Sequence, residues 1–192
     1  AIPESAAVNF LPALPEKVNA AKQIGFGSVI KLLTQWKQPF WKEKTTDLQF
    51  IFSGEPIPTW WTQHPMESNL LTGWLGGPAA EKLSILSDQE LLDIGMDCLS
   101  RIFQMRRAEL DELLIDAICC NWKRDIFSAG AYSFTLSGFQ DARRRWQEPI
   151  EDTLYFAGEA CYSGPHIGTV EAAIVSGIDA AKTLLKQSGS HK

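Results

Sequence analysis

Hydrophobic and polar positions along this chain follow two periods, one typical of strands and the other of helices. Residues 14–24 have helical character, with Pro15 at a first helical position and Gly25 as the stop. Short runs rich in β-branched and aromatic residues, separated by glycine and proline, then predict strands. These runs are 27–36, 49–52, 59–63 and 69–75. Their order predicts an antiparallel meander.

A long amphipathic helix is predicted after the break at Gly76-Gly77-Pro78. Ser87 and Glu90 form a capping box at its start, and apolar positions recur at near-helical spacing as far as Phe103. We expect this helix to lie across one face of the sheet. The remaining predicted elements are a buried strand at 113–122, a loop at 128–137, a short helix at 139–146, a strand at 153–157 and a helix from about 169 to 186.

The fold class that follows is α+β, an antiparallel mixed sheet with helices on one face, then a strand and a helix suited to a neighbouring domain. We place a boundary near residue 150, between a first part at 1–150 and a C-terminal segment at 151–192. The last helix carries a narrow stripe of small and apolar residues, which permits close approach of another backbone. We expect its partner to lie outside this chain.

Composition narrows the function classes. The chain has 192 residues, is 45% hydrophobic and contains seven Trp and ten Phe, which predicts a globular protein with a sizeable core. A net charge of -5 argues against nucleic acid as a partner. We interpret the one basic cluster, Arg143-Arg144-Arg145, as a solvated helix end. No apolar run approaches the roughly 20 residues of a membrane span, and no charged-then-apolar pattern predicts a signal segment.

Cysteine and histidine spacing predicts neither a metal site nor a catalytic triad. The four cysteines include no C-x-x-C pair, so we expect neither a disulfide framework nor a metal site, and a reducing cytoplasm suits the chain. None of the three histidines has a metal-ligand or triad spacing. The acidic run Glu109–Glu112 is interpreted as a solvated helix face.

The most informative stretch is an apolar run, 154–157, that ends in Gly158-Glu159. A glycine-containing loop follows, and a helix then begins with small residues, an order that directs a helix N-terminus toward something held beside the strand end. No Gly-x-Gly-x-x-Gly motif precedes it to hold a dinucleotide. The stretch therefore predicts a cofactor-closing element, and the chain is expected to be one part of a cofactor-dependent protein.

Tyr132 is a second candidate, because it lies in the small-residue loop 128–133, where no helical or strand pattern explains a large ring. Such a ring is a candidate pocket wall.

Three ordered blocks give the chain a specific resemblance. They are 27–41; Asn121-Trp122 with 128–132; and 154–159 with 168–177. In this order the chain resembles the C-terminal portion of flavin-containing amine oxidases of the monoamine oxidase type, over nearly its full length. The resemblance implies an FAD-dependent oxidoreductase that oxidises an amine to an imine by hydride transfer to flavin. It also implies that 1–150 is part of a substrate-binding domain. The segment 151–192 would then be a C-terminal FAD-binding segment and tail, with a strand and a helix of a Rossmann-like domain. We expect this chain to be a C-terminal fragment, inactive without the N-terminal half that holds the dinucleotide.

The resemblance also implies roles for individual residues. Tyr132 matches the aromatic residue that flanks the substrate amine, and Trp122 matches a tryptophan near the flavin, so both are catalytic candidates. Thr169 aligns with the second aromatic position of the amine cage, as in the histone demethylase and some polyamine branches. Gln35 and Trp36 match positions that line the substrate channel, so the substrate-binding candidates are Gln35, Trp36, Tyr132 and Thr169.

The cofactor-binding candidates implied by the resemblance are Gly158, Glu159, Gly168, Thr169 and Val170. Glu159 is expected to accept hydrogen bonds from cofactor hydroxyls or local backbone rather than to act as a base. The positive end of the last helix is expected to stabilise the reduced flavin ring. Ala131 falls where covalently flavinylated members have cysteine, so the FAD is expected to be noncovalent.

One departure from the family pattern keeps alternatives open. Ala7 aligns with the lysine that holds a water near flavin N5, and no lysine precedes Lys17. This difference favours a related flavin dehydrogenase or desaturase as the alternative enzyme. A third possibility is a noncatalytic fragment that acts as a partner-binding module. The expected partners are a small-molecule amine and either the N-terminal half of the same enzyme or a second copy of the chain.

Overall fold

The computed structural model describes residues 8–189 of the chain. These residues divide into two compact units, one formed by 28–130 and the other by 8–27 together with 131–189. The first unit is continuous in sequence, whereas the second is assembled from two separate segments. The boundary at residue 150 concerns the domains of a whole enzyme, and it stays a prediction.

The unit 28–130 is built on an antiparallel sheet. Its strands are β2 (Val29–Trp36), β3 (Phe50–Phe52), β4 (Thr59–Trp61), β5 (Leu70–Gly76) and β6 (Leu114–Asn121). The sheet has five strands in the order β3, β4, β5, β2, β6. Consecutive pairing of β3, β4 and β5 confirms the predicted meander, while β2 lies between β5 and β6. The α+β class is thereby supported.

Three α-helices accompany this sheet, namely α2 (Gly77–Leu83), α3 (Asp88–Phe103) and α4 (Arg107–Leu113). The predicted capping box begins α3, since the Ser87 hydroxyl accepts from the Glu90 N–H at 3.2 Å and the Ser87 N–H donates to the Glu90 carboxylate at 2.8 Å. A Cβ built on Gly95 would lie 2.5 Å from Cδ1 of Leu32. Glycine therefore lets α3 lie closely against the sheet, on one face as predicted.

Residues of β2 alternate between a core face and an open face. Leu32 and Trp36 are buried on the core face, and Leu33 and Gln35 are exposed on the other. The buried core also includes Ile30, Phe40, Trp41, Ile57, Trp60, Leu71, Leu75, Leu91, Met96, Leu99, Phe103 and Leu110. On the open face, Leu33 stands opposite Ile118 of β6.

Two sequence predictions for this unit are wrong in part. The strand at 113–122 exists as β6, but it is an edge strand, and Ile115 and Ile118 are 55% and 59% exposed. Its apolar run predicts burial because composition cannot tell a strand covered on both faces from a strand with one open face. The break at 76–78 is also the start of α2, a helix that the sequence patterns do not predict.

The second unit contains α1 (Pro15–Lys22), β1 (Ile24–Phe26), β7 (Ser133–Thr135), α5 (Ala142–Gln147) and α6 (Val170–Gly189). β1 and β7 form a two-stranded antiparallel sheet. Pro15 begins α1 as predicted, but Gly25 is not its stop. The helix ends at Lys22, and Gly25 lies in β1 beneath a phenyl ring, where a Cβ would meet Cζ of Phe134 at 2.4 Å.

Two further predictions in this unit are corrected. Residues 153–157 form no strand, because they contribute only a single bridge between Ile150 and Leu154. Glu151 and Asp152 have φ values of 47° and 51°, and these left-handed residues turn the chain where a strand would begin. The predicted loop 128–137 includes the short strand β7.

Candidate functional site

Glu159 is the centre of a hydrogen-bond network at the beginning of the loop that enters α6. It lies in the 3-10 turn Glu159–Cys161, directly after Gly158. One carboxylate oxygen, Oε1, accepts from the Ser133 hydroxyl at 2.6 Å and from the Gly168 N–H at 2.9 Å. The other, Oε2, accepts from the Ser133 N–H at 3.2 Å. Glu159 thus accepts from two backbone N–H groups and one hydroxyl, and its expected contact with a cofactor stays a prediction.

Arg143 of α5 joins this network, and its side chain is only 3% exposed. Its Nη1 donates to the Ser133 hydroxyl oxygen at 2.7 Å and to the Ala160 carbonyl at 3.2 Å, and it lies 3.9 Å from Oε1 of Glu159. The interpretation of Arg143 as part of a solvated helix end is therefore wrong. Burial of a guanidinium requires hydrogen-bond acceptors and a counter-charge, which Ser133, Ala160 and Glu159 supply.

Tyr132 lies next to this network, with 45% of its surface exposed. Its carbonyl accepts from the Gly27 N–H at 2.8 Å, which fixes the backbone of the small-residue loop. Gly168 has a φ of 78°, and a Cβ built on it would lie 3.6 Å from Cβ of Tyr132. The structure therefore places the predicted aromatic wall beside the predicted cofactor-binding loop.

Thr169 caps the N-terminus of α6. Its Oγ1 accepts from the Ala172 N–H at 3.1 Å, and its hydroxyl donates to the His166 carbonyl at 2.8 Å. The next residue, Val170, is 72% exposed. The Thr169 side chain is thus held by its own helix end, and the helix begins at the surface of this unit.

Gly158 is tied to the middle of α6. Its N–H donates at 3.2 Å to Oγ of Ser176, which is fully buried. Gly158 has a φ of 136°, and a Cβ built on it would meet no atom within 4 Å. A glycine therefore meets a backbone requirement here, and the space beside it is open.

Gln35 and Trp36 lie in the unit 28–130 and point in opposite directions. Gln35 is exposed on the open face of the sheet. Trp36 is fully buried, its indole N–H donates to Oγ1 of Thr34 at 2.8 Å, and its ring packs edge-on against Phe40 at 4.7 Å. Since adjacent strand residues face opposite sides of a sheet, only Gln35 is placed where a ligand on the open face would meet it.

Trp122 follows β6 in the same unit and is 38% exposed. Its N–H donates to the Val29 carbonyl at 3.2 Å. It lines a surface cavity of about 420 Å³ together with Asp88, Cys119, Cys120, Asn121, Arg124 and Asp125. Burial raises the pKa of the Cys119 thiol to about 12, so this cavity offers no reactive thiolate from that residue.

Lys17 is the first lysine of the chain, and its amino group is already engaged. It donates to the carbonyls of Arg145 and Glu148 and, at 3.3 Å, to that of Trp146, all at the C-terminal end of α5. It also lies 5.2 Å from the centre of the Phe156 ring. Burial lowers the pKa of Lys17. This lysine is a helix cap, and Ala7, the position of the family lysine in the alignment, lies outside the described residues.

The predicted site residues therefore fall into two groups. Six of them belong to the unit formed by 8–27 and 131–189, namely Tyr132, Gly158, Glu159, Gly168, Thr169 and Val170. Three belong to the unit 28–130, namely Gln35, Trp36 and Trp122. Between residues 8 and 189, no group of three or more His, Cys, Asp or Glu side chains is arranged to hold a metal ion. In the same part of the chain, no helix is long and apolar enough to cross a membrane.

Comparison with known proteins then decides the family. The family model for flavin containing amine oxidoreductase matches residues 1–185. The chain belongs to this family. Membership confirms the resemblance stated from the sequence blocks.

Several curated members of the amine oxidoreductase family are similar to the chain. Polyamine oxidase 4 of Oryza sativa subsp. japonica is 31% identical, over 95% of this chain and 37% of that protein. Flavin-containing amine oxidase B of Sus scrofa is 27% identical, over 95% of this chain and 35% of that protein. Lysine-specific histone demethylase 1 homolog 3 of Arabidopsis thaliana is 27% identical, over 93% of this chain and 11% of that protein. The chain thus spans no more than 37% of the length of these relatives.

Arg143 is the residue of this amine oxidoreductase chain that sequence reasoning missed. A run of three arginines suggests a solvated surface, yet Arg143 lies three residues before Trp146 and next to the buried Ala142. A spacing of three places Arg143 and Trp146 on one side of α5. This spacing was the sequence signal that could have indicated the burial of Arg143.

Proposed function

We propose that this chain supplies part of the amine pocket and the flavin-closing segment of an FAD-dependent amine oxidase. The reaction is the oxidation of a small-molecule amine to an imine. One observation supports the proposal most directly: Glu159 binds the backbone N–H groups of Ser133 and Gly168, which adjoin the two proposed pocket walls, Tyr132 and Thr169.

Features beside α6 fit a flavin nucleotide. Gly158 leaves open space where any other residue would place a Cβ. The first N–H groups of α6 have no intrahelical acceptor, and the positive end of the helix dipole favours negative charge. Gly158, Glu159, Gly168, Thr169 and Val170 would hold the cofactor, together with sequence that this chain does not include. Ala131 offers no thiol for covalent attachment, in agreement with noncovalent FAD.

Bound flavin supplies the electron acceptor for the hydride that leaves the amine carbon. The residues of this chain hold the substrate and exclude water. The exposed ring of Tyr132 provides an apolar wall, and an apolar wall favours the neutral amine because desolvation penalises its charged form. Thr169, fixed by its capping bonds, provides a small second wall. The roles of Trp122 and Gln35 remain predictions from the sequence resemblance.

A flavin dehydrogenase is the second candidate, and the position of Lys17 favours it. No lysine precedes Lys17 in the chain, and the amino group of Lys17 caps α5. The chain therefore offers no free lysine in this segment to hold a water for reaction with oxygen. The substrate residues serve both candidates equally, because the two differ only in what reoxidises the flavin.

The test uses the protein that carries this chain, expressed with its complete sequence. Visible absorption would show bound flavin, and acid precipitation should release the flavin to the supernatant if attachment is noncovalent. Spermine, benzylamine and a methyl-lysine peptide of a histone tail would be offered as substrates. Oxygen consumption would indicate an oxidase, whereas turnover only with an artificial electron acceptor would indicate a dehydrogenase.

Two variants complete the test. Tyr132→Ala should lower kcat/KM about tenfold to a hundredfold by loosening the position of the substrate. Phe127→Ala is the matched control, because this ring is 91% exposed. A colourless protein, or full activity in Tyr132→Ala, would contradict the proposal. The partner of the chain is proposed to be the rest of the same enzyme, and its location is proposed to be the cytoplasm.

A further inference from the structure

The two proposed pocket walls are joined through a single carboxylate. Ser133 follows Tyr132 directly, and Gly168 directly precedes Thr169. Glu159 accepts from both backbone N–H groups, at 3.2 Å and 2.9 Å. The backbone separation of the two walls therefore depends on where this carboxylate is held.

The Glu159 carboxylate accepts a third hydrogen bond, from the Ser133 hydroxyl, and Arg143 determines the direction of that bond. A serine hydroxyl has one hydrogen to donate, and a guanidinium can only donate. Since Arg143 Nη1 donates to the Ser133 oxygen at 2.7 Å, the Ser133 hydrogen is free for Oε1 of Glu159, at 2.6 Å. Arg143 also lies 3.9 Å from Oε1 and balances its charge.

We propose that Arg143 is a positioning residue, which acts through Ser133 and Glu159 to set the separation of Tyr132 and Thr169 and thereby the fit of the amine. This inference rests on the proposed function. Arg143 is fixed in turn by the Ala160 carbonyl at 3.2 Å and by Oγ1 of Thr135 at 3.4 Å. A charge-assisted contact in a buried place is stronger than a neutral one, so the arrangement is stiff.

The guanidinium donates through Nε and Nη1 but not through Nη2. Its Nη2 is buried and has no hydrogen-bond partner within residues 8–189. The contacts to Ser133 and Ala160 both come from Nη1. A lysine ammonium placed near the position of Nη1 can therefore replace part of the function, whereas methionine cannot.

The first experiment measures hydrogen exchange in the complete protein, and its result does not depend on activity. Arg143→Met should raise the exchange rates of the amides of Ser133 and Gly168 about tenfold, as expected for the loss of one hydrogen bond to a charged group. Arg143→Lys should give an intermediate rate. Arg144→Met is the matched control, because the neighbouring Arg144 side chain is 66% exposed.

The second experiment separates positioning from stability. Arg143→Met should raise KM for the best amine of the panel about tenfold while the flavin remains bound, and Arg143→Lys should return KM to within about threefold of the wild type. If Arg143→Met does not fold, Ser133→Ala replaces it, because it removes the hydroxyl bridge and keeps the charge. Ser133→Ala should raise the exchange rate of the Gly168 amide.

Unchanged amide exchange in Arg143→Met would overturn the inference. Faster exchange with unchanged KM and kcat would also overturn it, because Arg143 would then be purely structural. A wild-type protein that is colourless and oxidises no amine would instead refute the proposed function, and with it the role in fitting the amine. The exchange experiment would still show whether Arg143 holds Glu159.

Discussion

The N–H of Gly168 donates at 2.9 Å to the carboxylate of Glu159, nine residues earlier in the chain. This bond closes the loop between the 3-10 turn and α6, and it holds Gly168 at a φ of 78°. Few residues other than glycine adopt this conformation without strain. The loop geometry and the identity of residue 168 are therefore coupled.

Gly168→Ala should destabilise the protein. A Cβ at this position meets only ordinary contacts with Tyr132, at 3.6 Å, so the cost comes from the left-handed backbone and amounts to about 1–2 kcal/mol. Urea unfolding would measure the change in the free energy of unfolding. Gly177→Ala in α6 is the control, since it has ordinary backbone and open space, and it should stabilise by about 0.4–1 kcal/mol. Equal midpoints for Gly168→Ala and the wild type would refute the coupling.

Gly95→Ala should also destabilise, for a different reason. The backbone of α3 suits alanine, which would contribute about 1 kcal/mol of helix propensity. The added Cβ, however, would lie 2.5 Å from Cδ1 of the buried Leu32, and overpacking costs about 1–3 kcal/mol. We therefore expect Gly95→Ala to lower the midpoint of thermal unfolding. Leu32→Val in the same chain should recover part of it, and additive effects of the two changes would argue against this contact.

Lys17→Met should lower the free energy of unfolding by about 1–3 kcal/mol, because it leaves carbonyls at the end of α5 without a donor. Lys17 is buried and donates to three of them. Lys22→Met, at an exposed position on the same helix, should change stability by no more than about 0.5 kcal/mol. Chemical denaturation of both variants provides the comparison, and equal effects would show that Lys17 is not a cap.

The unit 28–130 should lose stability in acid through Arg107. Its guanidinium binds Asp93 at 2.7 Å, Asp97 at 2.9 Å and Asp111 at 2.7 Å. The hydrogen bond from Arg107 holds the pKa of Asp93 below its usual value of 3.8. A carboxyl with a lowered pKa in the folded state stabilises above its unfolded pKa and loses this effect as the pH falls through the folded pKa.

Arg107→Met should therefore be less stable than the wild type at neutral pH, and the difference should shrink as the pH falls below about 4. Unfolding free energies measured from pH 7 downward would show the convergence. Lys82→Met is the control, because Lys82 is exposed and makes no ion pair among the described residues. A difference that stays constant with pH would contradict the role of Asp93.

Local signals in the sequence predicted much of the fold. The capping box at Ser87 and Glu90 marked the start of α3 because both of its hydrogen bonds form within four residues. Strands β3, β4 and β5 were found because glycine and proline separate them. Tyr132 was identified because no helix or strand pattern explains an aromatic ring in a loop of small residues.

What sequence reasoning missed depends on contacts between distant residues. Arg143 can be buried because it donates to Ser133 and Ala160, and neither of these residues lies in α5. The exposure of Ile118 depends on its position on the open face of the sheet, opposite Leu33. The residues after Thr153 contain strand formers, but the left-handed pair Glu151 and Asp152 redirects the chain before they can pair.

The discontinuous unit has a consequence for synthesis. The Ala131 N–H donates to the Gly27 carbonyl at 2.8 Å, so the chain leaves this unit and returns to it at almost the same point. During translation, 28–130 emerges complete and can fold first, because domains generally fold as units in order of synthesis. Residues 8–27 cannot complete their unit until residues 131–189 have been synthesised. Among residues 8–189, Glu159 and Gly168 are therefore among the last to reach their native positions.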